Sequence, residues 1–391
     1  MDFVQLAKLA QRMPRKKNLV IFVGRSGGHF IDNAKYAFLH CVNNMPELSC
    51  YFFTMNPKLA LDLRRNGLPA IGYGDEGAIE LLLRAGIVVA DDFEWRVTPE
   101  LYSVLHPAVS IQLWHGIPLK AIGFPEIESS INMTPEKAER LQRGYSDYDA
   151  LLSTSPYYTE HAFSKAFKAE DFPELGYPRN DVMLRRPTKQ DMINADLELY
   201  AEIMKRRKQG WKTVFYMPTF RDLGGDPFTD QAISLPRLNE FGNKHKVLFV
   251  LKLHPYVHIK IGGSFDNIKQ AEARSDIYPL LGACDILLTD YSSIYFDFLL
   301  ADKPIVFYPY DYTHYVTANR ALLFDYDATT PGPRANTQNE LYDVLQATLE
   351  GQDTGKEQRA ALRVQAFTHA DGNAAQRLGQ YITERFVTRG D

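Results

Sequence analysis

Short apolar runs of strand length alternate with longer helical patterns along both halves of the chain. In the first half the apolar runs predict five strands, at residues 18–23, 50–54, 87–90, 109–113 and 150–153. In the second half they predict four, at residues 213–216, 247–253, 286–289 and 305–308. The helical patterns fall between these runs, at residues 32–43, 57–66, 78–85, 135–144, 231–243, 292–300 and 340–349. Strands that alternate with helices are typical of parallel sheets covered by helices, so we predict an α/β fold.

The length of the chain predicts two domains. A single hydrophobic core stops growing near about 250–300 residues, and this chain has 391. A polar, helix-forming stretch dense in charged side chains separates the two halves. We therefore predict a first Rossmann-like domain at residues 1–185, a helical junction at 186–210 and a second Rossmann-like domain at 211–391, with a cleft between their parallel sheets. The C-terminal helical tail is predicted to pack back on the first domain.

The composition excludes several classes of function. Lys and Arg number 44 against 48 Asp and Glu, and a mildly acidic chain does not favour nucleic-acid binding. The three cysteines are too few for a disulfide framework and lack metal-ligand spacing, so a reduced, cytoplasmic compartment is the simplest expectation. Because the sequence has no HExxH, CxxC or D-x-D-x-D pattern, we expect neither a metal site nor a cofactor. No run approaches the roughly 18 apolar residues that span a bilayer.

Residues 1–17 form an amphipathic segment with a basic end. Apolar side chains recur at near-helical spacing from Phe3 to Met13, and Pro14 ends the pattern. The basic residues of the segment are Arg12, Arg15, Lys16 and Lys17. We favour a helix docked on its own protein, with a solvated charged turn. The alternative is peripheral contact with the anionic inner face of the cell membrane.

Two histidines follow predicted strands, one in each half of the chain. In open α/β sheets, ligands bind beyond the carboxyl ends of the strands. His115 follows the strand at 109–113, and His254 follows the strand at 247–253. Imidazole titrates near neutral pH and can accept a proton from a hydroxyl group. We interpret both as candidate catalytic residues that face the cleft, the alternative being core histidines beneath turns.

A run of hydroxyl and acidic residues follows the strand at 286–289. Thr289, Asp290, Ser292 and Ser293 lie between this strand and an apolar helix. With Ser292 as the N-cap, the free N–H groups of the helix start and the two serine hydroxyls would form a phosphate site. The alternative is a serine that caps the helix and does nothing else.

Three further segments carry candidate cleft residues. After the strand at 213–216, Arg221 can donate two hydrogen bonds to a phosphate and Thr219 a third. The alternative is that Arg221 and Asp222 form an exposed ion pair that contributes little to stability. Gly24 and Arg25 belong to a glycine-rich loop after the first strand, which lacks the Walker lysine and is a weak signal by itself. The turn at 176–181 supplies Arg179 and Asp181, which could be functional or could brace the domain junction.

These segments together resemble one known family, that of the CDP-glycerol glycerophosphotransferases of teichoic-acid and capsule biosynthesis. The matching segments include Asp-Asn-Ala-Lys-Tyr at 32–36, Trp-His-Gly-Ile-Pro-Leu-Lys at 114–120 and Gly-Tyr-Pro-Arg-Asn-Asp at 176–181. They continue with Pro-Thr-Phe-Arg-Asp at 218–222, Lys-Leu-His-Pro at 252–255 and Thr-Asp-Tyr-Ser-Ser at 289–293. Shorter matches follow at Phe296-Asp297, Lys303-Pro304, Asp311, Asp371-Gly372 and Arg377.

The resemblance implies a GT-B-like fold and an activity. A polyol phosphate, with glycerol phosphate favoured, would pass from a CDP-activated donor to a hydroxyl group of a lipid-linked or polymeric teichoic-acid or capsule acceptor, with release of CMP. By resemblance His115 is the base on the acceptor, and His254, Arg221, Ser292 and Ser293 contact the donor phosphates. Asn33 and Lys120 enter the set of cleft residues through the matching segments.

Two other functions stay open at this point. A GT-B glycosyltransferase that uses a nucleotide sugar would share the fold and the donor-phosphate contacts, but it would break a sugar carbon–oxygen bond. A non-catalytic binding protein is disfavoured, because His115, His254 and the residues at 289–293 occur together. Glycerol and ribitol donors cannot be distinguished from the sequence.

Overall fold

The computed structural model describes residues 3–129, 133–219, 221, 227–228, 230, 232–253, 265–318 and 322–388. The chain forms two compact units. Unit 1 comprises Met1–His115, Ile122–Ile193 and Phe367–Asp391, and unit 2 comprises Gly116–Ala121 and Asn194–Ala366. The main change of unit, after Ile193, falls inside the segment expected as the junction, and the helix that follows belongs to unit 2.

The strands and helices alternate along the chain as the apolar pattern predicts. The strands are β1 Lys16–Val23, β2 Ser49–Thr54, β3 Ala70–Gly72, β4 Ala85–Ala90, β5 Val109–Gln112, β6 Tyr148–Leu151, β7 Ala169–Asp171, β8 Lys212–Met217, β9 Val247–Leu251, β10 Ile268–Gln270, β11 Ile286–Thr289 and β12 Ile305–Phe307. The helices are α1 Phe3–Arg12, α2 Arg25–Gly28, α3 Asp32–Asn44, α4 Pro57–Arg65, α5 Ala78–Leu83, α6 Glu94–Val97, α7 Pro99–Leu105, α8 Phe124–Ser129, α9 Pro135–Gly144, α10 Pro156–Tyr158, α11 Ser164–Ala166, α12 Pro178–Asp181, α13 Leu197–Lys208, α14 Leu235–His245, α15 Tyr278–Leu281, α16 Ile294–Leu299, α17 Tyr312–Ala318, α18 Tyr326–Thr329, α19 Gln338–Leu349, α20 Lys356–Ala366 and α21 Ala374–Ile382. Short π-helical or 3-10 turns lie at Thr159–Phe163, Val182–Leu184 and Thr383–Val387.

Unit 1 is built on a seven-stranded sheet in the order β3-β2-β1-β4-β5-β6-β7. Every neighbouring pair is parallel. The central strands are buried on both faces, which is why they are continuously apolar rather than alternating. On one face Phe22 and Phe52 pack against Phe38 of α3 in edge-to-face contacts, and on the other face Trp95 joins the apolar side of α1 and α7.

Unit 2 is built on a smaller sheet in the order β10-β9-β8-β11-β12, and again every neighbouring pair is parallel. Strands β9 and β11 are completely buried. In both units the first three strands run in order toward one edge of the sheet. The fourth strand, β4 or β11, then pairs with the other side of the first strand, β1 or β8. This reversal is the topological switch point of a doubly wound sheet, where ligand-binding loops diverge.

Helix α1 is docked on unit 1, which is the interpretation favoured from the sequence. Leu6 and Ala10 are buried in the core beside α7. Arg15 is not part of a solvated cluster, because its guanidinium donates hydrogen bonds to the carbonyl oxygens of Ala85 (2.9 Å) and Val104 (3.1 Å). The apolar face of α1 is therefore used within the protein. None of the helices in the described part of the chain is long and apolar enough to cross a membrane.

The boundaries differ from the prediction where local signals are short. Strands β3, β7 and β10 were not predicted; each has three residues and lies at the edge of its sheet, too short to show periodicity. Helix α14 begins at Leu235, later than the predicted 231. The expected N-cap at Ser292 is wrong: α16 begins at Ile294, and the capping position is Ser293, whose side chain makes no capping bond.

Candidate active site

The turn that carries His115 is held in a strained conformation. Trp114 has a φ of 54°, in the left-handed region that bulky side chains avoid at a cost of about 1–3 kcal/mol. The side-chain oxygen of Gln112 accepts from the Trp114 N–H (2.9 Å), and Asn33 Nδ2 donates to the Trp114 carbonyl (2.8 Å). The Trp114 ring packs edge-on against Phe167. These buried contacts fix the turn and aim the next residue.

His115 is oriented by a single backbone oxygen. Its Nδ1 lies 2.9 Å from the carbonyl oxygen of Asp91. Because a carbonyl oxygen only accepts, Nδ1 carries the proton and Nε2 keeps its lone pair. Burial and the nearby guanidinium of Arg25 lower the pKa of His115 to about 3. The ring is therefore neutral throughout the physiological range, which differs from the near-neutral titration expected from the sequence.

A buried ion cluster lies beside His115. The carboxylate of Asp32 binds Arg179 at 2.8 Å and Arg25 at 3.1 Å. Burial opposes ionisation of Asp32, but the two guanidiniums outweigh it and hold its pKa at about 2. Arg179 is almost fully buried, whereas 38% of the Arg25 side chain is exposed. The negative charge of Asp32 favours a proton on His115, and the two arginines disfavour it.

Two acids directly after β4 complete the cluster. Asp91 Oδ2 accepts from the Ala34 N–H (2.9 Å), and Asp92 Oδ2 accepts from the Ser26 N–H (2.6 Å). Burial, together with the charges of Asp32 and Asp92, raises the pKa of Asp91 well above its usual range. Burial raises the pKa of Asp92 to about 6. Neither residue was predicted from the sequence, although both directly follow a buried strand, as His115 does.

The glycine-rich loop contributes Arg25 to this cluster. A Cβ on Gly24 would lie 2.0 Å from the carbonyl oxygen of His29, so only glycine fits there. Ser26 and the two residues after it have positive φ values, which turns the loop back on itself. The Ser26 N–H is taken by Asp92. The loop thus presents the Arg25 side chain, and the hydrogen bond to Asp92 does not support its interpretation as a phosphate-binding loop.

Arg179 and Asp181 have separate surroundings. The Arg179 N–H donates to Asn33 Oδ1 (3.1 Å), so Asn33 connects the α12 turn to the His115 turn. Asp181 accepts from the N–H groups of Ala374 (3.0 Å) and Ala375 (2.9 Å), at the start of α21. Burial raises the pKa of Asp181 to about 6. Arg179 therefore belongs to the His115 cluster, whereas Asp181 anchors the C-terminal helix within unit 1.

In unit 2 the predicted residues meet where β8 and β11 end. Asp290 is fully buried, and its Oδ1 accepts from the N–H groups of Thr219 (2.8 Å) and Tyr291 (2.5 Å). Thr289 Oγ1 donates to the Met217 carbonyl (2.7 Å). Thr219 Oγ1 is buried and has no hydrogen-bond partner among the residues that the structure describes. It is a hydroxyl group that a ligand could engage.

Arg221 is held by two carboxylates. Its guanidinium binds Asp311 through Nε (3.0 Å) and Nη2 (2.9 Å) and binds Asp290 through Nη1 (2.6 Å). The rings of Tyr291, Tyr310 and Tyr315 surround it at 5.2–5.5 Å. These acids raise the pKa of Arg221. Arg221 is only 3% exposed, so the alternative of an exposed pair with Asp222 is wrong; Asp222 itself lies outside the described residues.

Of the other predicted residues, some lie in unit 2 and one lies outside the described part of the chain. Ser292 and Ser293 are partly exposed and directly follow Tyr291. Lys120 belongs to unit 2, where its Nζ lies 4.8 Å from the Tyr315 ring. His254 lies outside the described residues. Two positions earlier, Lys252 donates to the carbonyl oxygens of Glu272 and Ser275, and burial lowers its pKa to about 8.

No set of three or more His, Cys, Asp or Glu side chains in the described ranges is arranged to hold a metal ion. The candidate functional residues form two groups, one in each unit. One group surrounds the neutral imidazole of His115 in unit 1. The other surrounds Asp290 in unit 2 and offers hydroxyl groups from Thr219, Ser292 and Ser293.

Comparison with known proteins identifies one family. The family described as CDP-glycerol:poly(glycerophosphate) glycerophosphotransferase matches residues 5–384. A teichoic acid poly(glycerol phosphate) polymerase of Bacillus subtilis is 28% identical over 361 residues, which cover 88% of this chain and 45% of that protein. This chain thus spans less than half of that polymerase. A teichoic acid glycerol-phosphate transferase of Staphylococcus aureus is 31% identical over 290 residues, which cover 70% of each chain.

A solved structure supports the fold. The wall teichoic acid polymerase TagF superposes with a TM-score of 0.76 at 22% identity, over 100% of this chain and 95% of the other. At this identity the likeness establishes the fold alone. The α/β class with two Rossmann-like units and parallel sheets, of the GT-B-like kind expected from the sequence, is confirmed.

Proposed function

This chain belongs to the CDP-glycerol:poly(glycerophosphate) glycerophosphotransferase family, and we propose that it transfers a polyol phosphate from a CDP-linked donor to an acceptor hydroxyl group. Glycerol phosphate is the favoured group, CMP is the product released, and a teichoic-acid chain is the favoured acceptor. The observation that carries the proposal is the His115 imidazole, which is neutral and has its Nδ1 fixed to the Asp91 carbonyl. Its Nε2 is thus ready to accept a proton.

The proposed step is an in-line displacement at the β-phosphorus of the donor. The acceptor oxygen forms a new bond to phosphorus while its proton passes to His115 Nε2, and the bond from the β-phosphorus to the oxygen bridging to CMP breaks. In a loose transition state the acceptor hydroxyl becomes acidic only late, as its oxygen bonds to phosphorus. A base of low pKa is then sufficient to take the proton. Asp32, which is ionised beside His115, stabilises the imidazolium that forms.

The leaving CMP needs stabilisation of its negative charge rather than a proton. We assign this to unit 2, through the hydroxyl groups of Thr219, Ser292 and Ser293 and through His254 by family resemblance. Arg221 is fully engaged by Asp290 and Asp311. We therefore propose that it acts as a positioning residue, which fixes the residues after β11 rather than contacting a phosphate group. By the same assignment, unit 1 binds the acceptor.

Two finer points belong to the proposal. The acceptor is proposed to be lipid-linked or polymeric, as expected for a relative of teichoic-acid polymerases and transferases. Contact with a membrane would have to use the exposed first turn of α1, where Phe3 and Val4 are exposed, since Leu6 and Ala10 are packed in the core. Binding of the full chain to anionic vesicles, compared with a Phe3→Ser/Val4→Ser variant, tests this contact.

Product analysis tests the activity. The full chain is incubated with CDP-glycerol, CDP-ribitol or a UDP-sugar and with an oligomeric or lipid-linked acceptor. CMP release with a new phosphodiester in the ³¹P NMR spectrum supports the proposal and identifies the donor. UDP release with a glycosidic product would refute it in favour of a glycosyltransferase. His115→Ala should abolish turnover but retain donor binding, whereas the exposed His369→Ala should behave as wild type.

A further inference from the structure

Unit 1 contains a cavity that does not include the His115 cluster. It lies between the second half of α3, the α12 turn, residues 185–191 and the start of α21. Its volume of about 480 Å³ falls within the range of small-molecule sites. Neither His115 nor the ion cluster around Asp32 lines it. Its walls are set by side chains that no step of the proposed reaction uses.

Several side-chain amides line the cavity, and those of Asn43 and Gln190 are hydrogen-bonded to each other (2.7 Å). Five amides from three separate segments border the cavity: Asn43, Asn44, Gln190, Asn373 and Gln376. An amide group both donates and accepts hydrogen bonds, as the hydroxyl groups of a polyol or sugar do. Thr188 adds a hydroxyl group and Tyr36 an aromatic surface. This chemistry suits a polyhydroxylated ligand.

The charge of the cavity is close to neutral. Arg185 is neutralised by a bidentate ion pair with Asp191, with contacts of 2.5 and 2.9 Å. The carboxyl of Asp181 is occupied by the backbone N–H groups of α21. Lys189 is exposed and has no ion-pair partner among the described residues. One available cation suits a phosphodiester monoanion, whereas a nucleotide pyrophosphate would need more positive charge.

The cavity and the candidate active site share two structural elements. The start of α3 supplies Asp32 and Asn33 to the His115 cluster, and the next turn of the helix supplies Tyr36 to the cavity. The α12 turn supplies Arg179 to the cluster, and its neighbours Pro178 and Asp181 line the cavity. A chain-like ligand with its reactive end at His115 can therefore extend along the same two elements.

We propose that this cavity binds a polyol-phosphate unit of the acceptor chain, distant from the hydroxyl group that reacts. The inference rests on the proposed function, since it takes the acceptor to be a polyol-phosphate chain. Amide side chains bind the polyol hydroxyl groups and Lys189 binds one phosphodiester. The cavity thereby makes acceptor binding depend on chain length.

Binding measurements with the full chain test the site. A synthetic oligo(glycerol phosphate) and glycerol 3-phosphate are each titrated by isothermal calorimetry into the wild type and two double variants. Lys189→Ala/Gln376→Ala removes the cation and one amide of the cavity. Lys58→Ala/Gln346→Ala removes the same residue types from exposed positions elsewhere. Since all four side chains are exposed, thermal melting should show both double variants folded.

We expect the cavity variant to bind the oligomer at least about tenfold more weakly than the control, from the loss of one charge-assisted hydrogen bond. Its KM for oligomeric acceptor should rise by a similar factor. Equal binding of the oligomer by the cavity variant and the control would overturn the site. Failure of the wild type to release CMP from any CDP-alditol would instead refute the proposed function, a result that the binding measurement does not depend on.

Discussion

Replacement of Asn33 by alanine should disturb the candidate catalytic turn without touching His115. The Asn33 side chain is fully buried. Its Nδ2 donates to the Trp114 carbonyl at 2.8 Å, and its Oδ1 accepts from the Arg179 N–H at 3.1 Å. The first of these bonds helps to hold Trp114 at a φ of 54°. Asn33 is thus a positioning residue that acts on His115 through the residue before it.

The magnitude follows from what the substitution leaves behind. In Asn33→Ala the Trp114 carbonyl and the Arg179 N–H, both buried, lose their partners. A buried polar group without a partner costs about 1–3 kcal/mol, so the free energy of unfolding should fall by about 2–6 kcal/mol, a large share of a typical 5–15. If the turn relaxes and the imidazole moves by about 1 Å, kcat should fall about 10²-fold, equivalent to about 2.7 kcal/mol of barrier.

Urea denaturation and steady-state CMP release measure the two effects. We expect kcat to fall while KM for the donor is unchanged, because the donor is assigned to unit 2. The matched control is Asn18→Ala, since Asn18 is exposed and donates to a single carbonyl, that of Glu47, at 2.9 Å. Its effects should be small. A folded Asn33→Ala variant with wild-type kcat would refute the claim that this amide positions His115.

Three further predictions concern charge. Arg221→Met leaves the buried Asp290 and the partly buried Asp311 without their cation, and it should destabilise the protein by about 3–5 kcal/mol, as measured by urea denaturation. The control Arg64→Met, at an exposed ion pair, should cost less than about 1 kcal/mol. Carboxyl NMR should show Asp92 and Asp181 titrating near pH 6. Because folding raises these pKa values, the free energy of unfolding should fall as the pH rises from about 4 to 6. Titration midpoints near 4 would contradict this. Because burial and Arg25 lower the pKa of His115 to about 3, kcat/KM should not decline as the pH falls through 6.5. A decline centred near pH 6.5 that disappears when Arg25 is replaced would contradict this.

The buried centre of each sheet could be predicted from the sequence, whereas of the four edge strands only β12 was predicted. Strands β4 and β11 lie within continuous apolar runs, which short edge strands such as β3 lack. The strand-end rule also located His115 and the residues around Asp290. It would have located Asp91 as well, had it been applied after β4.

Sequence patterns could not predict which charged residues are buried or with which partners they pair. Arg221 meets Asp290 and Asp311 across 69 and 90 positions of chain, so no local signal distinguishes it from an exposed arginine. The lowered pKa of His115 likewise arises from burial and from Arg25, which lies on a different loop. Residue type and position along a strand predicted which side chains lie at the strand ends, whereas their burial and charge pairing required the packed structure.

The same hydrogen bond, from a loop N–H to an acid side chain, occurs at the switch point of both units. In each sheet the loop after the first strand, β1 or β8, diverges from the loop after its neighbour, β4 or β11, at the switch point. In unit 1 the carboxyl group of Asp92, after β4, accepts from the Ser26 N–H of the loop that follows β1. In unit 2 the carboxylate of Asp290, after β11, accepts from the Thr219 N–H after β8. A buried acid across the switch point thus fixes the loop at which each sheet would meet its ligand.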